Sequence, residues 1–150
     1  MTGRHPLREG DVRVVTIRID SRLDLVEMAA RSVRALCATS GLPARECAHV
    51  ELAVDEALNN VIRHAYHGEA GHPIEIAFAL EANRFTIEIS DEGEPMTRRA
   101  PAELAFDPGD IANLPEGGMG LYIIHNVMDE VEYHRFGDRN ALTMSRRLAA

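Results

Sequence analysis

Glu56, Asn59 and Asn60 are the first residues in this chain whose types and spacing could do chemistry. They sit in the middle of a stretch, Cys47 to Tyr66 (CAHVELAVDEALNNVIRHAY), that otherwise reads as a long helix. At about 100° per residue, Val50, Val54, Ala57, Leu58, Val61 and Ala65 share an apolar arc that would face a core. Glu56, Asn59, Asn60, Arg63 and His64 fall on the other side. Asn is a modest helix former, so a pair of them in mid-helix, where Lys or Glu would serve a solvated face better, asks for a reason. Glu56 and Asn60 lie one turn apart on the same face, and Ala53 and Ala57 beside them are small enough to let a ligand approach. Taken alone, the helix is open to two readings: a solvated polar face, or a carboxylate-plus-amide site.

Two further groups carry chemistry. Asp91 follows an alternating strand pattern and precedes Gly93. It could accept a hydrogen bond from a ligand amino group, with Gly93 giving room for a flat ring; Asp-Glu-Gly as a plain turn is the other reading. Gly117-Gly118-Met119-Gly120 opens a helical pattern, where unpaired backbone N–H groups and the positive end of the helix dipole favour anions. No Lys-Ser/Thr follows, so it is not a Walker loop, and a flexible turn is its simpler reading. His64 and His67 with Glu56 have the outline of a metal site but lack a third ligand at suitable spacing.

These groups need a scaffold, and the composition allows one. The chain has 150 residues, 45% of them hydrophobic, enough for one domain with a real core. A net charge of −8, with scattered arginines, argues against nucleic-acid and membrane-surface partners. Cys37 and Cys47 show neither metal-ligand nor redox-motif spacing, so they read as reduced thiols, with a disulfide between them left open. The N-terminus lacks an apolar run of signal-peptide length, and no stretch approaches the ~20 apolar residues of a membrane span. The expectation is a soluble cytoplasmic protein.

In order along the chain, residues 1–11 read as a flexible tail and residues 12–148 as a single domain. Val15, Ile17 and Ile19 alternate as a strand. Ser21 and Asp24 resemble a capping box opening a helix with Leu25, Val26, Ala29, Val33, Leu36 and Cys37 on one face. Pro43 suits the first turn of the next helix. After Tyr66 come two alternating runs, Ile74, Ile76, Phe78, Leu80 and then Phe85, Ile87, Ile89, joined at hairpin length. From Glu92 to Met119, Pro95, Pro101, Pro108 and Pro115 interrupt any period, as in a long functional lid. A helix with Leu121, Ile124, Val127 and Met128 follows. Strands at 130–136 and 141–148 close the chain around the turn Gly137-Asp138-Arg139-Asn140. Antiparallel hairpins with helices grouped apart predict a two-layer α+β sandwich.

The order Glu56-x-x-x-Asn60, Asp91-x-Gly93, lid, Gly117-Gly-Met-Gly120 resembles the GHKL (Bergerat-type) ATP-binding fold of gyrase, histidine kinases and mismatch-repair proteins. Its sheet is mixed but mostly antiparallel, with helices on one face. Within that fold AVDEALNNVIRHAY, SDEGEP, GGMGLYIIHNVMDEVEY and NALTMSRRL are similar to the stand-alone anti-sigma factor serine/threonine kinases, over roughly Val12 to Leu148. Two departures stand out: Pro95 where the broad family has a further glycine, and Ala141-Leu142-Thr143 where it has a Gly-Thr pair. Both variants look acceptable among the anti-sigma kinase relatives. A histidine kinase would need a dimerisation helix with a phosphoacceptor His, for which 150 residues leave no room.

The resemblance implies ATP and Mg²⁺ as cofactors and a role for each group. Glu56 would be the general base and Asn60 the Mg²⁺ ligand. Asp91 would receive the adenine amino group, with Gly93 admitting the ring. Gly118, Met119, Gly120 and Leu121 would hold the phosphates under the lid, and Thr143 would lie near the adenine end. It also implies a small STAS-type anti-sigma factor antagonist as substrate, a sigma factor as the alternative partner in a partner switch, and a homodimer. Two rivals stay open: a nucleotide-gated binding module that transfers nothing, and a kinase of this fold in a circuit without a sigma factor.

Overall fold

The computed structural model describes residues 10–96 and 119–149; most of the expected tail, most of the expected lid, and Gly117 and Gly118 lie outside them. Among the described residues are five strands and three helices. They are β1 (Arg13–Asp20), α1 (Leu23–Ala38), α2 (Ala44–Asn60), β2 (Pro73–Leu80), β3 (Arg84–Asp91), α3 (Met119–Val127), β4 (Glu130–Phe136) and β5 (Arg139–Arg147), with a π-helical turn, Val61–Ala65, continuing α2. The sheet order is β1-β2-β3-β5-β4, and all four pairings are antiparallel.

Strand alternation sets the layers. Ile74, Ile76, Phe78 and Leu80 of β2 and Phe85, Ile87 and Ile89 of β3 are buried, and they face the same core as Val26, Val33, Val50, Val54, Leu58 and Ile124 of the helices. Helices therefore cover one face, and Glu75, Glu88, Thr143 and Glu132 stand on the other. Among the described residues no helix is long and apolar enough to cross a membrane.

Three local expectations are corrected. Ser21 does not cap α1. Its hydroxyl donates to the Glu69 carbonyl (2.7 Å) and accepts from the His72 amide (3.1 Å), so it ties β1 to the loop before β2. Arg22 occupies the cap position without a side-chain capping hydrogen bond, and its guanidinium pairs with Asp24 in the first turn at 2.6 Å. Pro43 stands one residue before α2 rather than in its first turn, its carbonyl accepting the amides of Glu46 and Cys47. Ala53 and Ala57 are 0% and 2% exposed, packed into the core and not open to a ligand.

The apolar arc of α2 also ends differently. Tyr66 N–H donates to Val61 C=O across five residues (3.1 Å), the wider π spacing. The extra residue rotates the chain, so Ile62 enters the core at 1% exposure while Val61 and Ala65 are only half-buried. Cys37 and Cys47 are free, buried thiols; burial first, and then the neighbouring Cys47, push Cys37 up to about 12.

Candidate functional site

Asp91 ends β3 on the helix-facing side, continuing the alternation of Phe85, Ile87 and Ile89, and is 6% exposed. A carboxylate there is held by donors. Its Oδ1 accepts the Gly93 amide and Asn140 Nδ2, both at 2.9 Å. Burial pushes the Asp91 carboxyl above the usual carboxylate range, while the Asn140 and Gly93 hydrogen bonds and the charge of Arg135 pull it back. The result is an oriented acceptor in a place that suits a neutral, hydrogen-bond-donating ligand edge.

The loop after Asp91 is fastened to the end of the α2 segment. Glu94 N–H donates to the Ala65 carbonyl (3.0 Å), and Glu92 N–H donates to the Tyr66 hydroxyl (2.8 Å), which itself donates to Pro73 C=O (2.6 Å). A β-carbon at Gly93 would lie 2.4 Å from the Ala65 oxygen. Contact with the π-turn is by itself enough to require a glycine here. Further along, Met96 N–H donates to the Tyr133 hydroxyl at 2.7 Å, holding the strap to β4.

Glu56 and Asn60 lie on α2, half-buried, with Asn60 at the junction with the π-turn. Among the described residues neither side chain has a hydrogen-bond or ion-pair partner. Both offer hard oxygen donors one turn apart, a donor set that fits a small divalent cation taking its remaining ligands from phosphate and water. The π-turn joins this pair to the Asp91 loop, since Asn60 opens the turn and Ala65 at its other end bears on Gly93.

Met119 and Gly120 form the start of α3, with Leu121 following, so three of the four expected phosphate-side residues sit at a helix N-terminus; Gly118 lies outside the described residues. Thr143 is not brought to the site. It pairs with Glu88 and Glu132, one residue out of phase with Leu142 and Met144, and so stands on the face turned away from the helices. His67 lies beyond the π-turn with φ of 53° and pairs with Glu94 at 3.1 Å, and His64 is exposed.

Sequence reasoning missed Asn140, Arg135, Tyr66 and Tyr133. The sequence reads Asn140 as part of a turn, but β5 begins at Arg139. The signal was the period of two: Asn140, Leu142 and Met144 share one face, which places an amide in line with core residues.

The family model for the histidine kinase-like ATPase domain matches residues 19–146. The chain is 24% identical over 123 residues to a serine-protein kinase RsbW of Listeria monocytogenes, covering 80% of this chain and 78% of that one. A serine-protein kinase RsbW of Bacillus thuringiensis is 27% identical over 122 residues, covering 79% and 75%. Among solved structures, the RsbU and RsbW domains of a Mycobacterium tuberculosis protein superpose with a TM-score of 0.64 at 17% identity, over 91% of this chain and 32% of that one. A chain of the SiaB–SiaC complex of Pseudomonas aeruginosa superposes with a TM-score of 0.54 at 16% identity, over 91% of both chains. The expected ATP-binding fold and the resemblance to anti-sigma factor kinases are borne out by these matches.

Proposed function

The chain belongs to the histidine kinase-like ATPase domain family, and we propose that it is an ATP-dependent serine kinase that phosphorylates a small STAS-type anti-sigma factor antagonist and otherwise sequesters a sigma factor. The observation that carries the reading is the pairing of two features on one α2 segment. Glu56 and Asn60 present oxygen donors that no described residue engages, and five residues on, Ala65 braces the loop that carries the buried acceptor Asp91. Relatives that are serine-protein kinases support the choice of acceptor hydroxyl.

In this reading Asp91 accepts a hydrogen bond from the adenine amino group, and the N-terminal turn of α3, with Met119, Gly120 and Leu121, offers its amides to the phosphates. Asn60 would hold Mg²⁺ through its amide oxygen, and the bound metal would supply charge neutralisation at the phosphate oxygens. Glu56 takes the proton of the antagonist's serine hydroxyl as that oxygen bonds to the γ-phosphorus. The bond from the γ-phosphorus to the β–γ bridging oxygen breaks, and ADP leaves. The added phosphate, roughly −2 in charge, would drive the antagonist from its complex.

Phosphoryl transfer from γ-labelled ATP to a cognate antagonist tests the proposal with Glu56→Gln. The variant should keep ATP affinity and lose transfer by at least ~100-fold. Unchanged transfer would remove Glu56 as the base. Absence of transfer in the wild type, with ATP still bound, would favour the nucleotide-gated binding module.

A further inference from the structure

Asn140 is 0% exposed and sits at the centre of a hydrogen-bond chain that ends on the Asp91 carboxylate. Its Oδ1 accepts from Arg135 Nη1 at 2.8 Å. Its Nδ2 lies 2.9 Å from Asp91 Oδ1, 2.9 Å from the Gly93 carbonyl and 3.4 Å from the Glu94 carbonyl. Arg135 Nη1 also reaches the Gly93 carbonyl at 3.4 Å. The chemistry fixes which way the amide points. A guanidinium can only donate, so it must face the amide oxygen; the three other neighbours are acceptors, so they must face the amide nitrogen.

That polarity has a consequence for Asp91. Asn140 and the Gly93 amide both load Oδ1, and among the described residues no donor reaches Oδ2. One oxygen is therefore anchored to the protein, and the other is left to meet a ligand. One of the two anchoring donors, Asn140 braced by Arg135, comes from β5 and β4, so the acceptor's direction does not depend on the loop alone. An ionised carboxylate held this way welcomes a donor and repels a carbonyl oxygen.

We propose that Asn140, locked by Arg135, is a positioning residue that sets the preference of the Asp91 pocket for a purine bearing a 6-amino group over one bearing a 6-oxo group. The inference rests on the reading of Asp91 as the adenine acceptor. Asn140 touches no substrate in it; it acts through the carboxylate it orients.

ATP and inosine triphosphate differ only along one edge of the purine, 6-amino beside an accepting N1 against 6-oxo beside an N1–H, so their dissociation constants, measured on the full chain, isolate the effect at that edge. Wild type should prefer ATP, and Asp91→Asn should abolish the preference. Asn140→Leu, close in volume and without hydrogen bonds, should shrink the ATP-over-ITP ratio by roughly tenfold. Arg135→Met, at an exposed position that leaves the fold intact, should shrink it in the same direction by less, which keeps the idea testable if Asn140→Leu folds poorly. A ratio unchanged in both Asn140→Leu and Arg135→Met while Asp91→Asn loses it would overturn the inference and leave the Asp91 reading standing. Equal losses of ATP and ITP would assign Asn140 to structural support alone and overturn it too. A wild type without any 6-amino preference would remove both.

Discussion

Gly93 stands against Ala65 so closely that a β-carbon would come within 2.4 Å of the Ala65 oxygen and 2.7 Å of its carbonyl carbon, both backbone atoms that cannot swing away. The Ala65 oxygen also accepts the Glu94 amide. The π-turn and the Asp91 loop are therefore one packed unit, which ties the half of the site on α2 to the half on the sheet. Gly93→Ala should force them apart. The expected cost is on the order of 1–3 kcal/mol in urea unfolding, together with weaker nucleotide binding. A variant with unchanged stability and affinity would show that the two halves are not coupled here.

Asp91 gives the protein a pH dependence with opposite signs for stability and binding. Burial raises its carboxyl above the ordinary value of 3.8, against the pull of Asn140, Gly93 and Arg135; Glu92 and the Tyr66 hydroxyl are its other titratable neighbours. Because the folded pKa exceeds the unfolded one, the group's contribution to stability is complete below the ordinary value and is lost as pH rises through the raised one. Nucleotide binding needs the ionised form, so affinity should climb across the same interval. Comparing wild type with Asp91→Asn by thermal melts and ATP titrations from acid to neutral pH checks both slopes. A wild-type binding profile flat through that interval would contradict the acceptor role.

The π-turn makes a prediction that a straight helix would not. Ile62 is buried at 1% exposure and Val61 only half-buried. Ile62→Ala should cost about 2–5 kcal/mol and Val61→Ala clearly less, read by denaturant midpoints. The reverse ranking would restore the uninterrupted helical register.

This register also marks where the sequence stopped being legible. Period-two alternation placed β2 and β3 residue by residue, because Ile74 through Ile89 obey a local rule that tertiary packing reinforces. The polar face of α2 was equally readable: Glu56 and Asn60 are where the 100° spacing puts them. The π-turn was not, since one inserted residue leaves no mark in composition yet exchanges Val61 for Ile62. Ser21 looked like a cap because its sequence neighbours allow it, but its partners, Glu69 and His72, are some fifty positions away. Thr143 failed by parity: one residue along a strand changes face, and the expectation fixed its strand without its phase. Asn140 and Arg135 were hidden for a related reason, being polar residues whose role exists only once β4, β5 and β3 are side by side.

Calorimetric titration with ATP, with and without Mg²⁺, on wild type and Asn60→Ala decides whether α2 and the Asp91 loop form a Mg²⁺-dependent ATP site. Such a site should give Mg²⁺-dependent binding in the wild type and a loss of at least ~10-fold in the variant, with the variant's melting temperature unchanged. Wild-type binding indifferent to Mg²⁺, or an Asn60→Ala variant that binds as tightly as its parent, would contradict it.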